Sequence, residues 1–525
     1  MSRSDQNPLR EENLGLLAGH ISDVESDGDI LDEKARLSSS SSAYWTRLRR
    51  LAGPWLRTRS ASSWRPLLLR LAVFLVPSFL QGRHAREQMI RPATRLAPTA
   101  YLDGMRGVAA LFVFFCHYFY QAFIIAEGWG AGETNYSLLK LPFIRLWYQG
   151  PPAVCLFFVI SGYALSYRPL KLVRSRATAD ALTAISSLAF RRAIRLYLPT
   201  AISTFLIICL LRVGAYEWTR KFATDRTYMR NVIETHPLRM EFASDQFIDW
   251  AKHMYRFVHV FDWSKFGGST TYDVHLWTIP VEFRCSLYLF LVLIGTARLQ
   301  TKFRFLVVAG IMWFVYTHSR WELLLFLCGM VLAEMDLIRG AHKASASSSP
   351  DLLLRDGSPV PRPRWKRAFW GGVSILGLYL MCQPDVKGSI TPGWVWLHAQ
   401  IPVWWREEPY RYYQSLGAVI FALAVGHSPS WQAVFNTAAV QYLGKISYAI
   451  YLMHGPAMHC IGYHWERMAY AITGTDGYWY NAGFVLGAVF CIPTVVWCAD
   501  IFWRAVDIPT VKFAKWVESK CIVQA

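Results

Sequence analysis

The chain has 525 residues, 53% hydrophobic and 15% aromatic, with 17% charged and a net charge of +19. Repeated apolar runs in such a composition exclude an array of soluble globular domains and indicate a polytopic membrane protein. The positive charge does not mark a nucleic-acid partner, because the basic residues cluster in connections between apolar runs; an anionic lipid surface is what they suit.

Residues 1–65 read as a disordered cytosolic tail, first acidic and serine-rich (Asp23, Glu25, Asp27, Asp29, Asp32, Glu33), then basic. Ser22, Ser26 and the run Ser38–Ser42 are better read as solvated tail than as phosphorylation sites. Residues 46–95 hold eleven arginines against one acid, Glu87. Segment 66–96 reads as interfacial and amphipathic, because its apolar stretch 66–80 is short and carries Arg70 and Pro77. Ten apolar segments follow, at 107–126, 152–168, 196–213, 276–297, 303–317, 321–338, 368–383, 413–427, 440–461 and 482–503. Several are near the lower length limit for a span. The fold class is therefore all-α, a polytopic transmembrane helix bundle of about ten spans.

The connections 168–195, 298–304 and 339–367 and the tail 506–525 are basic. They fall on one side if ten helices alternate, so the positive-inside rule puts both termini in the cytosol. The connection 214–274 then lies outside and reads as a cap over the bundle. A second outer connection, 384–412, carries Trp394, Trp396, Trp404 and Trp405, residues that suit the membrane interface. Asn135-Tyr136-Ser137 is a glycosylation sequon in the first outer loop, and 340–364 is a Ser/Pro/Arg linker. Nine of the ten cysteines lie inside apolar segments and no Cys-x-x-Cys pair occurs. Neither a disulfide framework nor a zinc site is expected, and no metal is assigned.

Chemistry enters with the first apolar segment. Tyr101-Leu102-Asp103-Gly104-Met105-Arg106-Gly107 leads into about twenty mostly apolar residues that include His117. An imidazole at mid-depth of a lipid-length helix loses its hydration and is a functional-site candidate by default. His117 follows Arg106 by eleven positions, roughly 16 Å along a helix, about halfway across a bilayer. A neutral imidazole can take a hydroxyl proton near physiological pH. The competing reading is a histidine hydrogen-bonded to a neighbouring helix.

Residues 97–505 resemble the acyltransferase 3 family of polytopic O-acyltransferases, in a eukaryotic, fungal-like version. The resemblance rests on Tyr101–Ala110 with His117, and on four further segments in order. These are Phe157-Phe158-Val159-Ile160-Ser161-Gly162-Tyr163; Phe190-Arg191-Arg192-Ala193-Ile194-Arg195-Leu196 with Pro199; Leu276-Trp277-Thr278-Ile279-Pro280-Val281-Glu282; and Leu443-Gly444-Lys445-Ile446-Ser447-Tyr448-Ala449-Ile450-Tyr451-Leu452 with His454. It implies transfer of an acyl group, acetyl or another short chain, from acyl-CoA to a hydroxyl of a lipid, glycan or small-molecule acceptor. Acyl-CoA is then a co-substrate, and no bound cofactor is implied.

On that reading His117 is the catalytic base and Glu282 its support, with Arg284 an alternative partner for the carboxylate. Arg192 and Arg195 form the family's Arg-x-x-Arg pair and suit coenzyme A phosphates; ordinary positive-inside topology is the competing account, which Arg191 also satisfies. Arg106 either joins this donor site or pairs with Asp103. Asp103, Trp277, Tyr448 and His454 are pocket or acceptor candidates, and His275 and Trp277 suit interfacial anchoring. Ser161-Gly162 and Ser447 read as close helix contacts, and no Gly-x-Ser-x-Gly elbow is present. Residues Phe283-Arg284-Cys285-Ser286 depart from the common bacterial pattern after the glutamate. Two other classes compete: a proton-coupled transporter using His117 and Glu282 as a relay, which paired broken helices would favour, and a catalytically silent membrane scaffold.

Overall fold

The computed structural model describes residues 64–81, 96–133, 135–234, 236–258, 269–342, 363–405 and 407–522. The tail expected over 1–65 lies almost wholly outside the described residues, as does most of the linker 340–364. Among the described residues every regular element is helical.

The amino-terminal unit, residues 1–100, contributes α1 (Trp64–Leu75), which stops just before Pro77. Its 12 residues span roughly 18 Å, well short of a hydrocarbon core. Leu68, Leu71 and Val73 are exposed.

The second unit, Tyr101–Ala525, holds the bundle. Its long helices are α2 (Ala100–Ala122), α3 (Gly150–Arg174) and α4 (Thr178–Arg212), followed after two short helices, α5 (Ala215–Thr224) and α6 (Ala243–Phe257), by α7 (Thr278–Thr296). Next come α8 (Thr301–Thr317), α9 (Trp321–Arg339), α10 (Arg364–Met381), the short α11 (Val395–Ala399), α12 (Tyr410–His427) and α13 (Pro429–Phe435). The chain ends in α14 (Ala438–Ala457), α15 (Tyr463–Thr473), α16 (Gly477–Phe502) and α17 (Ile508–Cys521).

Each predicted apolar segment falls on a helix. By length and hydropathy, five helical stretches among the described residues are able to cross a membrane, or six if α12 and α13, bent by 99°, form one span. The expected count of about ten therefore reduces to five or six on this criterion. The physical reason is that helices such as α8, with 17 residues, are short, while α9 carries Glu322, Glu334, Asp336 and Arg339.

Glycines set two close crossings. A Cβ at Gly162 would lie 2.1 Å from the Phe326 carbonyl oxygen, and one at Gly329 2.2 Å from that of Val159, so α3 and α9 touch backbone to backbone. A Cβ at Gly107 would sit 2.3 Å from the Gly444 nitrogen, which lets α2 meet α14. Small residues permit such approach where lipid gives helices no hydrophobic reason to associate.

Three expectations about the connections change. The basic stretch 168–195 is helical, with α3 running to Arg174 and α4 starting at Thr178, so Arg191 and Arg195 become buried bundle residues. The tail 506–525 is not a free extension: a π-helical turn (Trp503–Asp507) leads into α17, whose Glu518 pairs with Arg191 at 3.1 Å. Of the four tryptophans expected at the interface, Trp394 is buried and stacked on Tyr379. Trp405 is buried with its indole N–H donating to the Tyr316 carbonyl at 3.0 Å; Trp396 and Trp404 are exposed. The amide of Asn135 donates to Glu127 at 2.7 Å and its oxygen accepts from Lys140, so the sequon asparagine is engaged inside its own loop.

Candidate active site

Three imidazoles meet inside the bundle. His117 on α2 lies 4.2 Å from His275 and 5.2 Å from His454, ring centroid to centroid, and is nearly parallel to His454 at 24°. His275 sits in a 3₁₀ turn (Val274–Trp277) leading into α7, and His454 is in the last turn of α14.

Their nitrogens are used differently. His275 is clamped: Nδ1 is 2.8 Å from Asp273 Oδ1 and Nε2 is 2.8 Å from Glu234 Oε1. Facing a carboxylate on each side, the ring uses both nitrogens as donors. Asp273 also accepts the His275 backbone N–H at 3.0 Å, capping the turn. His454 points Nδ1 at the carbonyl oxygens of Tyr451 (2.8 Å) and Ile450 (3.2 Å). Only a donor satisfies carbonyls, so the neutral ring carries its proton on Nδ1 and a lone pair on Nε2. That Nε2, like Nδ1 of His117, is buried with no hydrogen-bond partner among the described residues.

The carboxylate that holds this group comes from the outer connection. The chain after α5 is fastened to the end of α2, where the Gln121 carbonyl accepts the N–H groups of Asn231 and Val232 at 2.9 and 3.3 Å. The Asn231 amide donates to the carbonyls of Tyr120 and Phe123. A helix end leaves such carbonyls without intrahelical partners, and this loop takes them up. Glu234 is thereby delivered among His275, His459 and Gln121, accepting at 2.8, 2.7 and 3.0 Å. Burial would raise its carboxyl, but the charges and hydrogen bonds of His275 and His459 outweigh that and hold it well below the usual range. His459 lies in a π-helical turn (Met458–Gly462) just after Pro456, an irregularity common at functional sites. Burial pushes neighbouring His236 down to about 3.

The second polar group holds the arginines. Arg192 donates from Nη2 to Glu282 at 2.6 Å and from Nε to Ser286 at 3.0 Å, and Ser161 donates to the same Glu282 oxygen at 3.0 Å. Arg106 donates to Ser447 at 3.0 Å and to the Gly444 carbonyl at 3.3 Å, and pairs with Asp103 at 3.4 Å. Arg195 is buried and feels the charge of Asp507.

The structure thus brings His117 and His454 together, while the hydrogen-bond partners of Glu282 are Arg192 on α4 and Ser161 on α3. Glu282 was expected to support His117; a carboxylate inside an apolar bundle is stable only when paired, and Arg192 is that pair. Arg106, read either as a donor-phosphate residue or as the partner of Asp103, pairs with Asp103 and reaches α14, where Ser447 serves it as a hydrogen-bond anchor beyond simple packing. Tyr448 donates to the Leu196 carbonyl at 2.6 Å and ties α14 to α4. The Trp277 ring faces the Arg411 guanidinium at 5.8 Å. His275, read as an interfacial anchor, is buried at the centre. Sequence reasoning also missed Glu234, Asp273, Gln121 and His459; the Asp273-x-His275 spacing was a usable signal, whereas Glu234 had none.

One ring nitrogen from each of His117, His275 and His454 lies within 4.8 Å of the others, a spacing that a metal ion could bridge. His275 already spends both nitrogens on carboxylates, so only two imidazoles offer lone pairs, fewer than a protein zinc site uses.

The sequence profile of the family described as "Acyltransferase domain" matches residues 99–504. The chain is 31% identical over 470 residues to the O-acetyltransferase PaAT-1 of Phomopsis amygdali, an alignment covering 85% of this chain and 88% of that protein. It is 25% identical to Acyltransferase R4 of a Phoma species, covering 79% of this chain and 94% of that protein. Acyltransferase clz18 of Cochliobolus lunatus is 27% identical over the same two shares. No solved structure matches the chain. With most of its length matched by the profile and its apolar helices arranged as a bundle, the chain belongs to the acyltransferase 3 family and is a multi-pass membrane O-acyltransferase.

Proposed function

We propose that the protein moves an acyl group, acetyl in the first instance, from acyl-CoA to a hydroxyl of a small-molecule, lipid or glycan acceptor. The observation that carries this reading is His117: an imidazole within a membrane-length helix, beside a second histidine, with a buried ring nitrogen that has no hydrogen-bond partner among the described residues. An alcohol is a poor nucleophile while protonated, and a neutral imidazole is the side chain suited to activating it near neutral pH. The acetyl assignment is supported by the relative named an O-acetyltransferase.

Acyl-CoA enters from the arginine end, cytosolic by the positive-inside rule, where Arg192 and Arg195 supply positive charge for its phosphates. The acceptor reaches the histidines from the end covered by the 214–274 connection. The acceptor oxygen attacks the thioester carbon, the carbon–sulfur bond breaks, and the proton lost by the hydroxyl ends on the departing thiol. Asp273 and Glu234 fix His275, and through its ring contact His275 fixes where His117 sits.

Membranes containing the protein, given labelled acetyl-CoA and a panel of alcohols, are expected to form labelled ester and free CoA. The His117→Ala protein, at equal abundance, is expected to form neither above background. Equal transfer by both proteins would sink the assignment of His117, and absence of acyl-CoA-dependent product with every alcohol would sink the function.

A further inference from the structure

The three imidazoles at the centre are not equivalent, and their hydrogen bonds sort them. His275 has no nitrogen to offer, since Asp273 and Glu234 take both. His454 has one, and its identity is fixed: the backbone carbonyls of Ile450 and Tyr451 hold the proton on Nδ1, which leaves Nε2 as a buried lone pair with no partner among the described residues. His454 is fully buried in a bundle, where an acceptor left unsatisfied is destabilising. His117 is half-buried. Its Nδ1 has no partner among the described residues, so no neighbour fixes its tautomer there.

The spacing between these two rings fits one oxygen atom. A ring nitrogen of His117 and one of His454 lie within 4.8 Å of each other. Hydrogen bonds from nitrogen to oxygen are about 2.7–3.2 Å long, so an oxygen between them can bond to both at once. A hydroxyl has one proton to give and lone pairs to receive. With Nε2 of His454 able only to accept, the hydroxyl proton points there, and His117 must donate to the oxygen.

We propose that His454 is a second catalytic residue, the group that takes the acceptor's proton, while His117 holds and orients the same oxygen through an N–H donor. This rests on the O-acyltransferase reading and refines the expectation that His117 alone is the base. In the transfer the O–H bond breaks with its proton moving to His454 Nε2, and the oxygen–carbon bond forms. The thioester carbon–sulfur bond then breaks with its electron pair on sulfur. The proton held by His454 passes to that thiolate, so CoA leaves as the thiol and both imidazoles end neutral. The carbonyls that fix the tautomer also accept from Nδ1–H of the transient imidazolium. The Asp273–His275–Glu234 clamp keeps the third ring from filling the gap.

The test uses the full-length protein in lipid nanodiscs, with acetyl-CoA as donor, a panel of aliphatic, cyclic and aromatic alcohols as acceptors, and CoA thiol release as readout. His454→Ala and His454→Gln are expected to lower kcat at least about 100-fold, the range of a lost acid–base group, with acetyl-CoA binding unchanged. The acidic limb of the wild-type pH–rate profile is expected to vanish in both variants, and added imidazole to restore part of the alanine variant's rate. A kcat within threefold of wild type, or a change confined to KM for the alcohol, overturns the proposal. Should the variants not accumulate, diethyl pyrocarbonate labelling of the wild type gives a second measure. An acceptor alcohol is expected to protect His117 and His454 together, and protection of His117 alone overturns the proposal. A wild-type protein that releases no CoA with any alcohol overturns the O-acyltransferase reading itself, whereas active wild type with unaffected His454 variants overturns only this inference.

Discussion

The arginine group and the histidine group are both polar, at least half-buried and drawn from several helices, yet they handle their hydrogen bonds in different ways. At the arginine group the charges find partners in the chain: Arg192 with Glu282, Arg106 with Asp103 and Ser447, Arg191 with Glu518. At the histidine group, His117 Nδ1 and His454 Nε2 are buried without a hydrogen-bond partner among the described residues, on rings 5.2 Å apart. A buried charge is tolerable when paired and very costly when its partner is removed, so the first arrangement reads as architecture that also colours the donor side. Lone pairs left open inside a bundle reduce stability, and their persistence points to a substrate atom that fills the gap. Arginines between helices can thus be structural even when they match a phosphate-binding pattern, and what sets the histidine group apart is that its unpartnered atoms are ring nitrogens able to exchange a proton.

Four measurements break or sharpen this contrast. The largest effect is expected from His117→Ala, a loss of acyl transfer of about 10³-fold, within the range for removing a hydrogen-bond donor to the reacting oxygen, and with the melting temperature nearly unchanged. A large loss of stability with transfer preserved would erase the distinction between the two groups. Next, Glu282→Ala is expected to destabilise the folded protein by about 2 kcal/mol, because it removes a charge-assisted hydrogen bond from half-buried Arg192, measured by unfolding in detergent. The pair Arg192→Met with Glu282→Leu is expected to recover most of that stability, and an inactive but fully stable Glu282→Ala protein would return Glu282 to the chemistry.

A smaller and pH-dependent effect is expected at the outer connection. His236 is driven down to about 3 from 6.5 by burial. Between those values the unfolded chain binds the extra proton and the folded one does not, so stability falls as pH drops from about 6.5 toward 3. Glu234, held below its ordinary value, acts with the same sign at the lower end: its contribution is present above about 4.5 and is lost as pH falls further. Limited proteolysis of the 225–242 stretch across this range is expected to accelerate with acid in wild type and to depend less on pH in His236→Gln. Equal slopes in the two proteins would remove His236 from the account. The smallest effect is Tyr448→Phe, about 1 kcal/mol for one hydrogen bond to the Leu196 carbonyl, with transfer retained. A collapse of activity there would restore Tyr448 as an acceptor contact.

What was legible beforehand follows from how each signal is encoded. The helices, the membrane setting and His117 could be read because apolar length and a polar residue inside it are local patterns. Small residues at Ser161-Gly162 and Ser447 marked helix contacts for the same reason. The partners of Arg192 and of His275 were not legible, since Glu282 lies 90 residues from Arg192 and Glu234 lies 41 from His275. No periodicity reports such pairings. The span count was less legible, because a hydrophobic segment says where a helix forms and not whether the helix is long enough to cross.

By itself, then, the sequence determined an all-helical membrane acyltransferase with a histidine at mid-helix, through hydrophobicity and five short motifs in order. Only the tertiary structure decided which histidine is clamped, which has its proton fixed and which is left open. Tautomers and ion pairs are settled by atoms within about 3 Å, and a chain brings those atoms together only when it folds.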